Sequence, residues 1–181
     1  MTFRIIVPCT AQYHPLAEAA HNKIPNLEQI DVSERSDTYQ SLLAELWSEK
    51  DSFLIIEHDI EPNDKALRQA KYCSCYWGIS PYNGPGLDPL YASLGFVRFR
   101  RQLMEEVPDL FNIIAMVDDG KEISPGHWRR LDARISAALK DKHYEPHFHE
   151  PVLQHHVYRD VCACKTEHEV YRVDTEGRYK P

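Results

Sequence analysis

Apolar residues follow two alternating rhythms along the first sixty positions. Phe3 to Val7 is a short, mostly apolar run closed by Pro8, the pattern of a buried strand. Pro15 to His21 predicts a brief helix that begins on a proline, where the missing N–H is no loss. Leu27 to Val32 predicts a second strand. Tyr39, Leu42, Leu43, Leu46 and Trp47 then fall at i, i+3, i+4, i+7 and i+8, one face of a helix that Asp37 can cap. Phe53 to Ile56 is solidly apolar and predicts a third strand. Strand, helix, strand, helix, strand is the habit of a single α/β domain with a mostly parallel central sheet flanked by helices.

Past Asp59 the rhythm loosens. Asn63 is placed to cap a helix running through Lys71. The following stretch, YCSCYWGISPYNGPG, is rich in glycine, proline and aromatics and predicts an ordered functional loop. Leu94 to Phe99 predicts a strand, Arg100 to about Val107 a helix, and Asn112 to Val117 another strand. Ser124-Pro125 is a helix start, with Trp128, Leu131, Ile135, Ala138 and Leu139 as its apolar stripe. VYRDVCACK predicts a late strand, followed by a polar tail to Pro181.

Composition narrows the function classes. With 181 residues and a net charge of −7, the chain has no general attraction for a phosphate backbone. Arg98, Arg100 and Arg101 form the densest local basic patch. No apolar run approaches the roughly 18 residues needed to cross a bilayer, so no membrane partner is expected. The N-terminus lacks the apolar core of a signal peptide, and five cysteines is an odd number for a disulfide framework. A reducing, cytoplasmic location is expected.

The candidate chemistry sits at the end of the third strand. In FLIIEHDIEP, Glu57 and Asp59 lie two apart, which in an extended chain puts both carboxylates on one face. At the carboxyl end of a sheet strand such a pair suits a hard cation bridging to phosphates, or else a solvated strand end. Six of the ten histidines fall between His127 and His156, either as metal ligands or as surface residues. His147 and His149 flank Phe148 and would share one side of a strand. Asp132 interrupts an apolar stripe, as a general base or as the partner of Arg129 or Arg134. Cys73-x-Cys75 and Cys162-x-Cys164 could bind a structural Zn2+ or simply pack. Phosphate loops of the GxGxxG and GxxxxGK[ST] types are missing, as is a GxSxG elbow.

Together, RIIVPCT, a second strand ending at Asp31, FLIIEHDI, WGISPYNG, LGFVRF, HWRRLD and PHFHEPVLQHH resemble a small GT-A-fold glycosyltransferase, of a family-two-like branch found in bacteria and phages. The resemblance covers roughly residues 3 to 157. It implies a GT-A-like (Rossmann-like) catalytic domain over 1–157, with 158–181 a strand and tail packed on it. Glu57 and Asp59 take the acid-x-acid position, with Glu57 and His58 where aspartate and another residue are usual. Asp59 then ligates Mn2+ or Mg2+ and Glu57 lies nearer the ribose. Pro8, Cys9, Thr10 and Asp31 line the base and ribose pocket, and His149 or His155 completes the metal shell. Asp132 stands where inverting members hold the base that deprotonates the acceptor. Trp77 and Tyr82 offer a stacking floor for a sugar or base. The donor is a nucleotide diphosphate sugar, and the acceptor a small glycan or a modified phage DNA base. Two other classes fit parts of the pattern: a metal-dependent hydrolase built on the histidines and Asp59, and a non-catalytic module held by zinc.

Overall fold

The computed structural model describes residues 3–9, 14–32, 38–83, 94–116, 131–150 and 152–156, with the backbone of two short strands at 172–173 and 179–180. In chain order, β1 (Arg4–Cys9), α1 (Pro15–His21), β2 (Leu27–Asp31), α2 (Thr38–Glu49) and β3 (Phe53–Ile56) follow the rhythms of the sequence closely. Then come β4 (Ile60–Glu61), α3 (Asp64–Tyr72), β5 (Trp77–Ile79), β6 (Tyr82–Asn83), β7 (Phe96–Phe99), α4 (Arg101–Glu106) and α5 (Leu110–Met116). The chain continues through α6 (Leu131–Asp141), β8 (His147–Phe148) and β9 (Leu153–His155). A last pair, β10 (Arg172–Val173) and β11 (Tyr179–Lys180), is antiparallel. The expected helix start at Ser124-Pro125 and the expected strand over 157–165 lie outside the described residues, as does Asp37.

The architecture is α/β. Six strands pair in the order β2-β1-β3-β7-β5-β8. β1 is parallel to β2 and β3, β5 is parallel to β8, and β7 runs against both of its neighbours. The sheet is thus mostly parallel, and alternate residues of each strand separate two apolar layers. Phe53, Ile55, Trp77, Ile79, Val97 and Phe99 face a larger layer made with α2, α4, α5 and α6. Val7, Leu54, Ile56 and Phe96 face a smaller one closed by Ala66 and Ala70 of α3. All four side chains of β3 are buried, which explains its unbroken apolar run.

Two expectations change. The sequence predicts loop from Tyr72 to Gly86, yet this stretch holds β5 and β6. Glycine-rich text conceals a strand here because Gly78 leaves room for a neighbouring side chain while Trp77 and Ile79 fill the core. The sequence also predicts a strand from Asn112 to Val117, whereas the chain is helical from Leu110 to Met116. Leu110 and Ile114, four apart, pack into one layer; a short apolar run does not separate the two periods.

The arginine patch is also committed. Arg98 is 5% exposed and donates to Cys75 O at 2.9 Å, Arg100 donates to Ser74 O, and Arg101 pairs with Glu105 at 2.6 Å. No helix among the described residues is long and apolar enough to cross a membrane.

Candidate active site

β1, β2 and β3 run parallel, so Cys9, Asp31 and Ile56 end at one edge of the sheet. The acid pair begins there, but the chain does not stay extended. Glu57 N–H donates to Gly95 O at 2.8 Å, and Ile60 N–H donates back to Glu57 O at 3.0 Å, closing a turn over Glu57–Ile60. Because of that turn, Glu57 and Asp59 meet different partners instead of pointing side by side.

Asp59 meets a histidine. A second, three-stranded sheet in the order β4-β9-β6 sets Ile60 opposite His155. His156 N–H donates to Asp59 O at 2.8 Å and closes the same junction. His155 Nε2 then lies 3.0 Å from Asp59 Oδ2. Asp59 Oδ1 and His155 Nδ1 are both buried without a hydrogen-bond partner among the described residues. Burial pushes the Asp59 carboxyl up, but His155 and then His58 outweigh it and hold the carboxyl below its ordinary value.

A divalent cation fits this pair. Octahedral ligands at 2.0–2.1 Å sit about 2.9 Å apart, close to the separation of Nε2 and Oδ2. The unsatisfied Asp59 oxygen is the donor a hard cation prefers, and imidazole is a common second ligand.

Glu57 turns the other way, into a cavity of about 160 Å3 lined by Tyr39, Glu57, Tyr82, Leu94, Leu131 and Asp132. Ligand pockets commonly run to roughly 300–1,000 Å3, so this cavity has room for one small group rather than for a whole nucleotide-sized ligand. Tyr39 O–H donates to Glu57 Oε1 at 3.3 Å. Burial, then the charges of Asp59 and Asp132, push the Glu57 carboxyl well above the ordinary glutamate range, against the pull of the Tyr39 hydroxyl. Burial also raises Asp132, opposed by the backbone N–H of Ala133, which donates to Oδ1 at 2.8 Å. Two carboxyls with elevated proton affinity facing one cavity is an arrangement for moving protons.

Tyr82 walls this cavity, its ring 5.2 Å from that of His155. It packs directly over Gly95, where an added Cβ would lie 2.3 Å from Tyr82 Cε1. The other expected residues divide. Pro8 is buried in β1 opposite Ile30, and Cys9 pairs in register with Asp31 at the edge where β1 and β2 end. Burial and then the Asp31 charge raise the Cys9 thiol. Thr10 and Arg129 lie outside the described residues. Trp77 is 2% exposed, its indole N–H donates to Tyr144 O at 3.1 Å, and its ring stacks on Phe99. That ring face belongs to the core, which corrects the expectation of a stacking floor at Trp77. His149 stands apart from Asp59, beside Cys73 and His147. Arg134 donates to Gln40 Oε1 at 3.2 Å.

Several neighbours of the site carry no signal in the sequence. Tyr39 reads as one more member of the α2 stripe, yet its hydroxyl reaches Glu57. His156 bonds to Glu61 Oε2 at 2.7 Å and stacks on His14 at 4.3 Å. The pairing of β4 with β9 brings His156 to Glu61.

No protein-family model and no curated protein matches the chain. Among solved structures, the chain is similar to the crystal structure of a glycosyltransferase involved in the glycosylation of the major capsid of PBCV-1. The TM-score is 0.48 at 9% sequence identity, covering 84% of this chain and 92% of that one. A likeness this loose decides nothing about the reaction.

Proposed function

We propose that the chain is a metal-dependent, inverting glycosyltransferase that moves a sugar from a nucleotide diphosphate sugar to an acceptor hydroxyl. The observation that carries this reading is the buried, unpartnered Asp59 Oδ1, held beside His155 at the carboxyl edge of the sheet and next to a cavity lined by two carboxyls. Asp59 and His155 would hold Mn2+ or Mg2+, which supplies positive charge to the leaving diphosphate.

The protein's own groups divide the remaining work. Asp132, desolvated in the cavity, accepts the proton of the acceptor hydroxyl. Glu57, kept protonated by burial, donates a hydrogen bond to the donor's ribose or sugar. Pro8, Cys9 and Asp31, at the ends of two parallel strands, would form the base and ribose end of the pocket together with Thr10. Tyr82 closes the cavity against water. The acceptor is a small glycan or a modified DNA base, and the net charge of −7 favours the glycan.

The reading is tested by incubating the protein with Mn2+ and nucleotide diphosphate sugars and following release of the nucleoside diphosphate. Release from one donor that needs Mn2+ supports it. Metal-dependent hydrolysis of simple esters, with no release from any donor, would replace it with a hydrolase.

A further inference from the structure

Away from Asp59, at the β5–β8 edge of the sheet, a second group of donors converges. Cys73 ends α3, its N–H donating to Gln69 O at 2.8 Å, and β8 brings up His147 with His149 just beyond it. One ligand atom from each of Cys73, His147 and His149 lies within 4.8 Å of the others. Cys73 Sγ is 3.3 Å from His147 Nδ1, and the two imidazole rings are 5.2 Å apart at 81°.

His149 makes this more than a surface cluster. It is 4% exposed, its Nδ1 lies 3.4 Å from Ser80 Oγ, and its Nε2 is buried without a hydrogen-bond partner among the described residues. A thiol bonded to His147 satisfies those two groups but leaves His149 Nε2 unmet, which is costly for a buried polar atom. Position 78 is glycine for this ring, since a Cβ there would stand 2.8 Å from Nε2.

We propose that Cys73, His147 and His149 bind a structural zinc ion, with Cys75 as the fourth ligand. Zinc takes tetrahedral sulfur and nitrogen donors, and bonds of about 2.3 Å to sulfur and 2.0–2.1 Å to nitrogen set neighbouring ligands about 3.6 Å apart. The observed 3.3 Å between Sγ and Nδ1 lies near that value. The Cys75 thiol lies within hydrogen-bond reach of that of Cys73, which brings a further sulfur to the set. This set differs from one made of four cysteines, because β8 and the residue that follows it supply two histidines where Cys162 and Cys164 were the sequence's candidates. Its role would be to tie the end of α3 to a two-residue edge strand and so steady the segment that leads to His155.

The test is cobalt titration of the full chain after chelation. The expected result is a thiolate-to-cobalt charge-transfer band with tetrahedral visible bands, saturating at one ion per chain and displaced by zinc. Cys73→Ser should diminish the thiolate band, and His147→Ala, at an exposed position, should weaken cobalt binding by more than roughly tenfold with the circular dichroism unchanged. Asp59→Ala should leave the band intact. Absence of a thiolate band in the unmodified chain, or an undiminished band in Cys73→Ser, would overturn the assignment.

Discussion

His155 Nε2 stands 3.0 Å from Asp59 Oδ2, across 96 residues of chain, and the other Asp59 oxygen is buried with nothing among the described residues to accept from. A carboxylate so placed is stable as a structural ion pair only if that second oxygen finds a partner. In the proposed glycosyltransferase that partner is a divalent cation.

Asp59→Ala and His155→Ala should therefore each weaken Mn2+ binding, measured by calorimetry or by the electron spin resonance of free Mn2+, by at least about tenfold. Tight binding of Mn2+ by both variants would remove these residues from the metal site.

Asp132→Asn keeps the shape of the cavity and removes its proton acceptor. Nucleotide affinity should stay within about twofold, while transfer falls roughly 10²–10⁴-fold. A fully active Asp132→Asn protein would remove Asp132 as the base.

Glu57 sets a pH dependence of stability. Its folded proton affinity is raised, so its contribution is fully present below about pH 4.3, the ordinary glutamate value. As pH rises, the unfolded chain releases this proton first, and the folded state loses relative stability until it releases its own. Without metal, melting temperatures measured from pH 4.5 to 8 should fall more steeply for the natural chain than for Glu57→Gln. Parallel curves would show that Glu57 is not held protonated.

Gly95→Ala would put a methyl group against the Tyr82 ring, at 2.3 Å from Cε1 before any relaxation. Overpacking of this kind costs about 1–3 kcal/mol. The variant should lose stability by chemical denaturation, and Tyr82 should move out of the cavity wall in its structure. An unchanged melting curve would show that Tyr82 shifts freely.

What is legible in the sequence follows its periodicities. The β1-α1-β2-α2-β3 run can be read because each element has one clear rhythm, and Asn63 is recognisable as a cap; its Oδ1 accepts from Ala66 N–H at 2.9 Å. The two-residue strands β4, β6 and β8 have no rhythm to read, yet their pairing decides which histidine meets which partner. His149 and His155 look alike in the text. They separate because His149 N–H donates to Ile79 O in the main sheet, while His155 pairs with Ile60 in the small one. Asp132 is legible as a polar intruder on an apolar face, whereas Tyr39 is hidden, since a tyrosine is equally at home in a core stripe.

The most direct test of a metal-dependent nucleotide site at Asp59 is thermal stability with UDP, GDP, CDP and ADP, each with and without Mn2+. A ligand at 100 times its dissociation constant adds about 2.7 kcal/mol, a shift of roughly 5–11 °C at this size. One diphosphate should give a shift that requires Mn2+ and disappears in Asp59→Ala. A folded protein that shifts with none of them, or whose shift survives Asp59→Ala, would contradict the proposed site.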